Sequence, residues 1–176
     1  MPVLTEGVHP TRWHLDDASR RAARAGAEGL EVGDGLGALV TSTEPKAVET
    51  AEEIGARWSA APVPDDRLRE ADRPWIGPGY RAMAHRYLRG EPLEGWEPHD
   101  AVAARMGAAV DDAVKRADGE AVVVVSHGLA LCVHLGARLG PDFDRESFWS
   151  RLAFPDAWVL DATGVLHRSR PGLSVS

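Results

Sequence analysis

The chain has 176 residues, 44% hydrophobic and 27% charged, with a formal net charge of −7. That length suits one domain, residues 1–176, with its own core. The acidic balance argues against nucleic acid and anionic membranes as partners. The single cysteine, Cys132, excludes a disulfide framework and a Cys-based zinc site. The first residues lack the basic and apolar regions of a secretory signal, and no apolar run approaches the roughly 20 residues of a membrane span. The expectation is a cytoplasmic protein.

In chain order, Val3-Leu4 predicts a short first strand. Asp16 to Leu30 opens on acidic residues and closes before a Gly-rich turn, as a helix does. Leu36 to Val40 predicts a strand running into Thr41-Ser42. Pro45 to Ser59 predicts a helix with Thr43 as its N-cap and Pro45 in the first turn. Pro62-Val63-Pro64 is a brief extended piece, kept from a sheet centre by its prolines. Pro78 to Arg89 predicts a helix ended by Gly90, and Glu91 to Pro98 an ordered surface loop holding Trp96. His99 to Ala117 predicts a long helix stopped by Asp118-Gly119. Ala121 to Val125 reads Ala-Val-Val-Val-Val, a central strand buried on both faces. Leu129 to Leu139 predicts the helix after it. Phe148-Trp149 falls in a further short helix, and Ala157 to Leu160 with Val165-Leu166 predicts a terminal hairpin. Strands alternating with helices indicate an α/β fold, a three-layer sandwich around a mainly parallel sheet.

Ligands in such folds bind where strands end and helices begin. His127 stands at one such turn, between four valines and the helix opened by Gly128. Helix N-terminal N–H groups there favour an anion. Lys46, with Ser42 and Thr43 just before it, stands at another, and a cation beside hydroxyls suits phosphate. Glu70 lies in the charge-dense stretch Leu68-Arg69-Glu70-Ala71-Asp72-Arg73. Taken singly, each also reads as an ordinary strand-end or surface residue.

Together these segments resemble the histidine phosphatase superfamily, also called phosphoglycerate mutase-like. Thr41-Ser42-Thr43-Glu44-Pro45-Lys46-Ala47-Val48-Glu49-Thr50-Ala51 is similar to that family's Ser-Ser-x-x-x-Arg-Ala-x-x-Thr-Ala motif. Leu68-Arg69-Glu70 and Val125-Ser126-His127-Gly128 resemble its Leu-x-Glu and Val-Ser-His-Gly motifs. Trp13-His14-Leu15 with Arg20-Arg21-Ala22-Ala23 looks like its first helix entry, and Gly95-Trp96-Glu97 with Arg105 like the segment before its long helix. The resemblance implies a phosphate pocket with His127 as second histidine, Glu70 as the acid for the leaving group, and Lys46 in place of an arginine.

The departure lies at the family's Arg-His-Gly nucleophile motif, where this chain reads Thr5-Glu6-Gly7. A phosphate dianion needs fixed positive charge, and this pocket offers Lys46 and His127 against Glu6 and Glu70. Lysine also lacks the bidentate fork of arginine. The expectation is a divergent protein without phosphohistidine catalysis. It would hold a small molecule, phosphorylated or not, or run altered acid–base chemistry with Glu6, Glu70 and His127, with Thr5, Ser42, Lys46 and Gly128 binding the ligand.

Alternatives are a phosphomonoesterase using His9, or less directly His14, as nucleophile, and a non-catalytic protein interaction module. No cofactor is expected, although Glu6, Glu70 and His127 are ligand types that suit a divalent cation. Trp75 and Trp96 read either as packing or as a pocket mouth. The sequence carries no signal for oligomeric state.

Overall fold

A computed structural model of the chain describes residues 9–30, 32 and 35–169. The strand expected at Val3-Leu4 lies outside the described residues, as do Thr5 and Glu6. Helix α1 (Asp17–Glu28) is capped by Asp16, whose carboxylate accepts the Ser19 N–H at 2.7 Å. Strand β1 (Leu36–Thr41) leads into α2 (Pro45–Gly55), and β2 is the short piece Val63–Pro64. Helices α3 (Tyr80–Leu88) and α4 (His99–Ala117) precede β3 (Ala121–Val125), which feeds α5 (Gly128–Leu139) and α6 (Arg145–Ser150). The chain closes with an antiparallel hairpin, β4 (Trp158–Leu160) and β5 (Leu166–Arg168).

The described parallel strands lie in the order β2-β1-β3. Val40 and Thr41 pair with Val63 and Pro64, and Leu36 to Thr41 pair with Ala121 to Val125 across a register shift between Leu36 and Ala38. Side-chain alternation along β1 and β3 divides the core into two layers. Val40, Val122 and Val124 face the cluster built by α3, α4, α5 and α6, with Leu88, Met106, Leu129 and Phe148 at its heart. Leu39, Val123 and Val125 face α2 through Ala47 and Ala51. This places helices on both sides of a parallel sheet.

Four expectations need correction. Among the described residues the middle strand is β1, and β3 flanks it; only Val125 of β3 is buried, with the other four residues partly exposed. The N-cap of α2 is Glu44 rather than Thr43, because Thr43 instead donates to Asp66 Oδ1 at 3.0 Å. Helix α2 stops at Gly55 and tightens into a 3-10 turn over Ala56–Trp58. Helix α3 starts at Tyr80, since the Gly77–Gly79 turn around Pro78 is 3-10. The hairpin forms a sheet of its own, tied to the end of α1 by the Ser169 hydroxyl donating to Gly29 O at 2.8 Å.

Candidate active site

The carboxyl ends of β1 and β3 lie side by side, because Thr41 pairs with Val125 and Ser42 N–H donates to Val125 O at 2.9 Å. The next residues, Ser42 and His127, therefore meet. Their side chains are both buried, with Ser42 Oγ 2.8 Å from His127 Nε2. Glu70 is carried to the same place by the turn after β2. Its Oε1 accepts the N–H groups of Ala71 and Ala130 at 2.9 Å, and Oε2 lies 3.4 Å from Leu129 N. The carboxylate thus sits on the open N-terminus of α5, where the helix dipole favours negative charge. Among the described residues, Oε2 has only the long contact.

A clamp fixes that turn. The Arg105 guanidinium on α4 makes paired bonds of 2.8 Å to both oxygens of Glu97. It also donates to the carbonyls of Arg67, Arg69 and Glu70 at 2.7, 2.8 and 3.1 Å. The Gly95-Trp96-Glu97 segment and Arg105 therefore position Glu70 rather than the ligand.

Glu44 lies against Lys46, the Glu70 N–H and His127 and was not among the expected site residues. It is 6% exposed. Its Oε2 lies 2.5 Å from Lys46 Nζ, its Oε1 accepts the Glu70 N–H at 2.9 Å, and Oε1 is 3.4 Å from His127 Nε2. Three donors thus converge on one internal carboxylate. Burial works against its charge, but His127, Lys46 and the Glu70 N–H outweigh it and hold its pKa below the ordinary value. Lys46 expends its remaining reach on Pro10 O, at 2.7 Å.

Burial pushes the pKa of His127 down, so the imidazole is neutral near pH 7, with Glu70 and Glu44 opposing that shift. The tautomer that suits both neighbours carries its proton on Nε2, shared between Ser42 Oγ and Glu44 Oε1. Serine and carboxylate address the same nitrogen. A Ser-His-acid relay needs them on opposite nitrogens, so Ser42 is not an activated nucleophile of that type.

Gly128 is the first residue of α5, and a Cβ there would come within 3.1 Å of Trp149 Nε1. Ser42, Glu44, Lys46, Glu70 and His127 form one constellation. His9 is exposed, and Pro10, the next residue, is the one held by Lys46. His9 Nδ1 is 2.8 Å from Thr11 Oγ1. His14 is turned elsewhere, with Nδ1 2.6 Å from Glu49 Oε1. Of the two readings of Trp96, the structure gives packing: it is 7% exposed with its ring centroid 4.9 Å from that of Tyr87. Trp75 is 55% exposed and meets Trp13 edge-to-face at 6.0 Å. Among the described residues, no group of three His, Cys, Asp or Glu is arranged to hold a metal ion. No helix among them is long and apolar enough to cross a membrane.

The family model described as "Histidine phosphatase superfamily (branch 1)" matches residues 8–154. The chain belongs to the histidine phosphatase superfamily. Among solved structures, YhfR of Bacillus stearothermophilus is 26% identical, with a TM-score of 0.67 over 92% of this chain and 85% of that one. A mycobacterial glucosyl-3-phosphoglycerate phosphatase in complex with inorganic phosphate is 25% identical, with a TM-score of 0.64 over 85% of this chain and 80% of its own. An Entamoeba histolytica phosphoserine phosphatase shares the fold at 16% identity, with a TM-score of 0.62 over 92% of this chain and 86% of its own. No curated protein matches the sequence. In this histidine phosphatase fold, Glu44 links the expected residues, contacting Lys46, the Glu70 N–H and His127, and Ser42 contacts His127.

Proposed function

We propose that this member of the superfamily holds a small molecule in the ancestral phosphate pocket without phosphohistidine turnover. The observation that carries the reading is the Glu44 carboxylate, which already occupies the donors of Lys46, Glu70 N–H and His127. A phosphate placed about 4 Å from Glu44 would meet repulsion of about 4 kcal/mol per unit charge at an effective dielectric of about 20. That is roughly a thousandfold in affinity. The Thr5-Glu6-Gly7 sequence, lacking both arginine and histidine, supports the same reading. With one ammonium facing Glu44 and Glu70, the pocket suits a ligand that presents hydrogen-bond donors or a positive group to it. Neutral His127 and the freer oxygen of Glu70 are the groups available for acid–base chemistry on such a ligand.

A second reading keeps phosphomonoester hydrolysis with His9 as nucleophile. Two observations favour it. The family match begins at residue 8, so it includes His9 and leaves Thr5, Glu6 and Gly7 outside. The Pro10–Lys46 bond also holds the residue after His9 against the pocket, with Thr11 on Nδ1.

Hydrolysis of p-nitrophenyl phosphate decides between them. The first reading expects no turnover by the wild type and a gain in Thr5→Arg/Glu6→His. Wild-type turnover lost in His9→Ala would establish the second reading and overturn the first.

A further inference from the structure

Beyond the Glu44 site, Arg73 is a cation without a counter-charge among the described residues. Its guanidinium lies over the Tyr80 ring at 4.2 Å and 5.9 Å from the Trp96 ring centroid. Nε and Nη1 are buried and have no hydrogen-bond acceptor among the described residues. No carboxylate among the described residues forms an ion pair with it. The reason lies in its surroundings. Glu97 is consumed by Arg105, and Glu70 by the N-terminus of α5. A partly buried guanidinium left in this state requires an explanation. Aromatic faces orient such a group but satisfy its N–H donors only weakly.

Its position relates it to the pocket. The segment that carries it is rigid: Asp72 N–H donates to Glu97 Oε2 at 3.1 Å, and Glu97 N–H donates back to Asp72 O at 2.8 Å. Tyr80, beneath the guanidinium, stacks edge-on with Trp149 at 6.3 Å, and the Trp149 indole nitrogen closes over Gly128. Arg73 therefore tops an aromatic wall whose foot is the first residue of α5, beside His127. The Tyr80 hydroxyl is hydrogen-bonded to the Arg73 side chain and lies in the field of Glu70. Past Arg73 the chain continues through Pro74 to exposed Trp75, paired with Trp13.

We propose that Arg73 is a ligand-binding residue, taking the carboxylate of the small molecule in the proposed pocket on the unpaired N–H donors of its guanidinium. A planar fork fits a carboxylate in two-point contact. The carboxylate then lies at the Arg73 end of the ligand, away from the donor or positive group that the reading above sets against Glu44 and Glu70. The nearby tryptophan pair suits a flat apolar body attached to that carboxylate.

Benzoate is the probe, titrated into the full chain and followed by proton–nitrogen correlation of the arginine Nε–H groups. The Arg73 signal is assigned by its loss in Arg73→Lys. The expected result is a saturating shift of that signal in the wild type. Affinity should fall about tenfold or more in Arg73→Lys, which keeps the charge but lacks the fork, and vanish in Arg73→Met, which keeps the packing. Should Arg73→Met not fold, Arg73→Lys decides alone. Absence of benzoate binding by the wild type, or equal affinity in Arg73→Lys, overturns the proposal. The proposal rests on the reading of the pocket above, but phosphate ester turnover plays no part in this readout, so failure of one is distinguishable from failure of the other.

Discussion

Replacing Glu44 by Gln keeps the shape of the side chain and an oxygen for the Glu70 N–H, but removes the charge that faces Lys46 Nζ at 2.5 Å. Removing one partner of a buried ion pair costs about 3–5 kcal/mol. Here the Lys46 side chain is 18% exposed and retains Pro10 O at 2.7 Å, so water and that carbonyl recover part of the loss. The expected destabilisation is about 2–3 kcal/mol, or roughly 5–10 °C in melting temperature for a chain of this size. The same change opens an anion site, since the Lys46 ammonium, the Glu70 N–H and the His127 Nε2–H then face a neutral group. Inorganic phosphate at about a hundred times its dissociation constant should return about 2.7 kcal/mol to the variant. Thermal unfolding of wild type and Glu44→Gln at neutral pH, with and without phosphate, reads both effects. If phosphate stabilises the wild type as much as the variant, Glu44 does not occupy the anion site, and the reasoning fails.

Two further predictions concern the groups around this carboxylate. His127 and His134 are buried, and burial lowers both pKa values from the ordinary 6.5. The unfolded chain binds protons near pH 6.5 that the folded chain refuses. Stability should therefore fall as pH drops below that value, by about 1.4 kcal/mol per pH unit for each histidine that stays neutral. Glu44 adds a loss in the same direction below its ordinary value of 4.5, as the unfolded carboxyl protonates first. Urea unfolding at pH 7.5, 6.5 and 5.5 tests the slope, and a flat profile would contradict the neutral buried histidines. Arg105→Lys should cost about 3 kcal/mol, because the ammonium cannot reach both oxygens of Glu97 and the three carbonyls together. The backbone N–H groups of Leu129 and Ala130, held by Glu70, should then exchange faster with solvent. A variant as stable as wild type, with unchanged exchange, would remove Arg105 from its positioning role.

Much of this arrangement is legible in the residues themselves. The valine run at 122–125 and the Leu36 to Val40 stretch announce strands because parallel strands packed on two faces are apolar throughout. Their following turns then bring Ser42 and His127 together by register alone. Glu44 was illegible for a physical reason: an acidic residue at a helix start ordinarily faces water and complements the dipole. Here it turns inward because Lys46, two residues on, and the Glu70 N–H, 26 positions away, supply donors. The available signal was its place immediately before Pro45 and two residues before the pocket lysine. Trp96 misleads in the opposite sense. Its Gly- and Pro-rich neighbours suggest a loop at the surface, yet the ring packs on Tyr87, whose hydroxyl donates to Glu97 O at 2.8 Å. His14 is similarly drawn away by Glu49, a partner 35 positions distant.

The Ser42–His127 contact joins positions 85 residues apart, and the Glu70 bond to Ala130 N–H joins positions 60 apart. Each requires a long loop to close before it returns any energy. Local helices such as α4 can form early, whereas the polar centre waits for β1 and β3 to align. The chain therefore acquires its shape from the helices outward and its chemistry last, and a species that has collapsed without pairing these strands has no site at all.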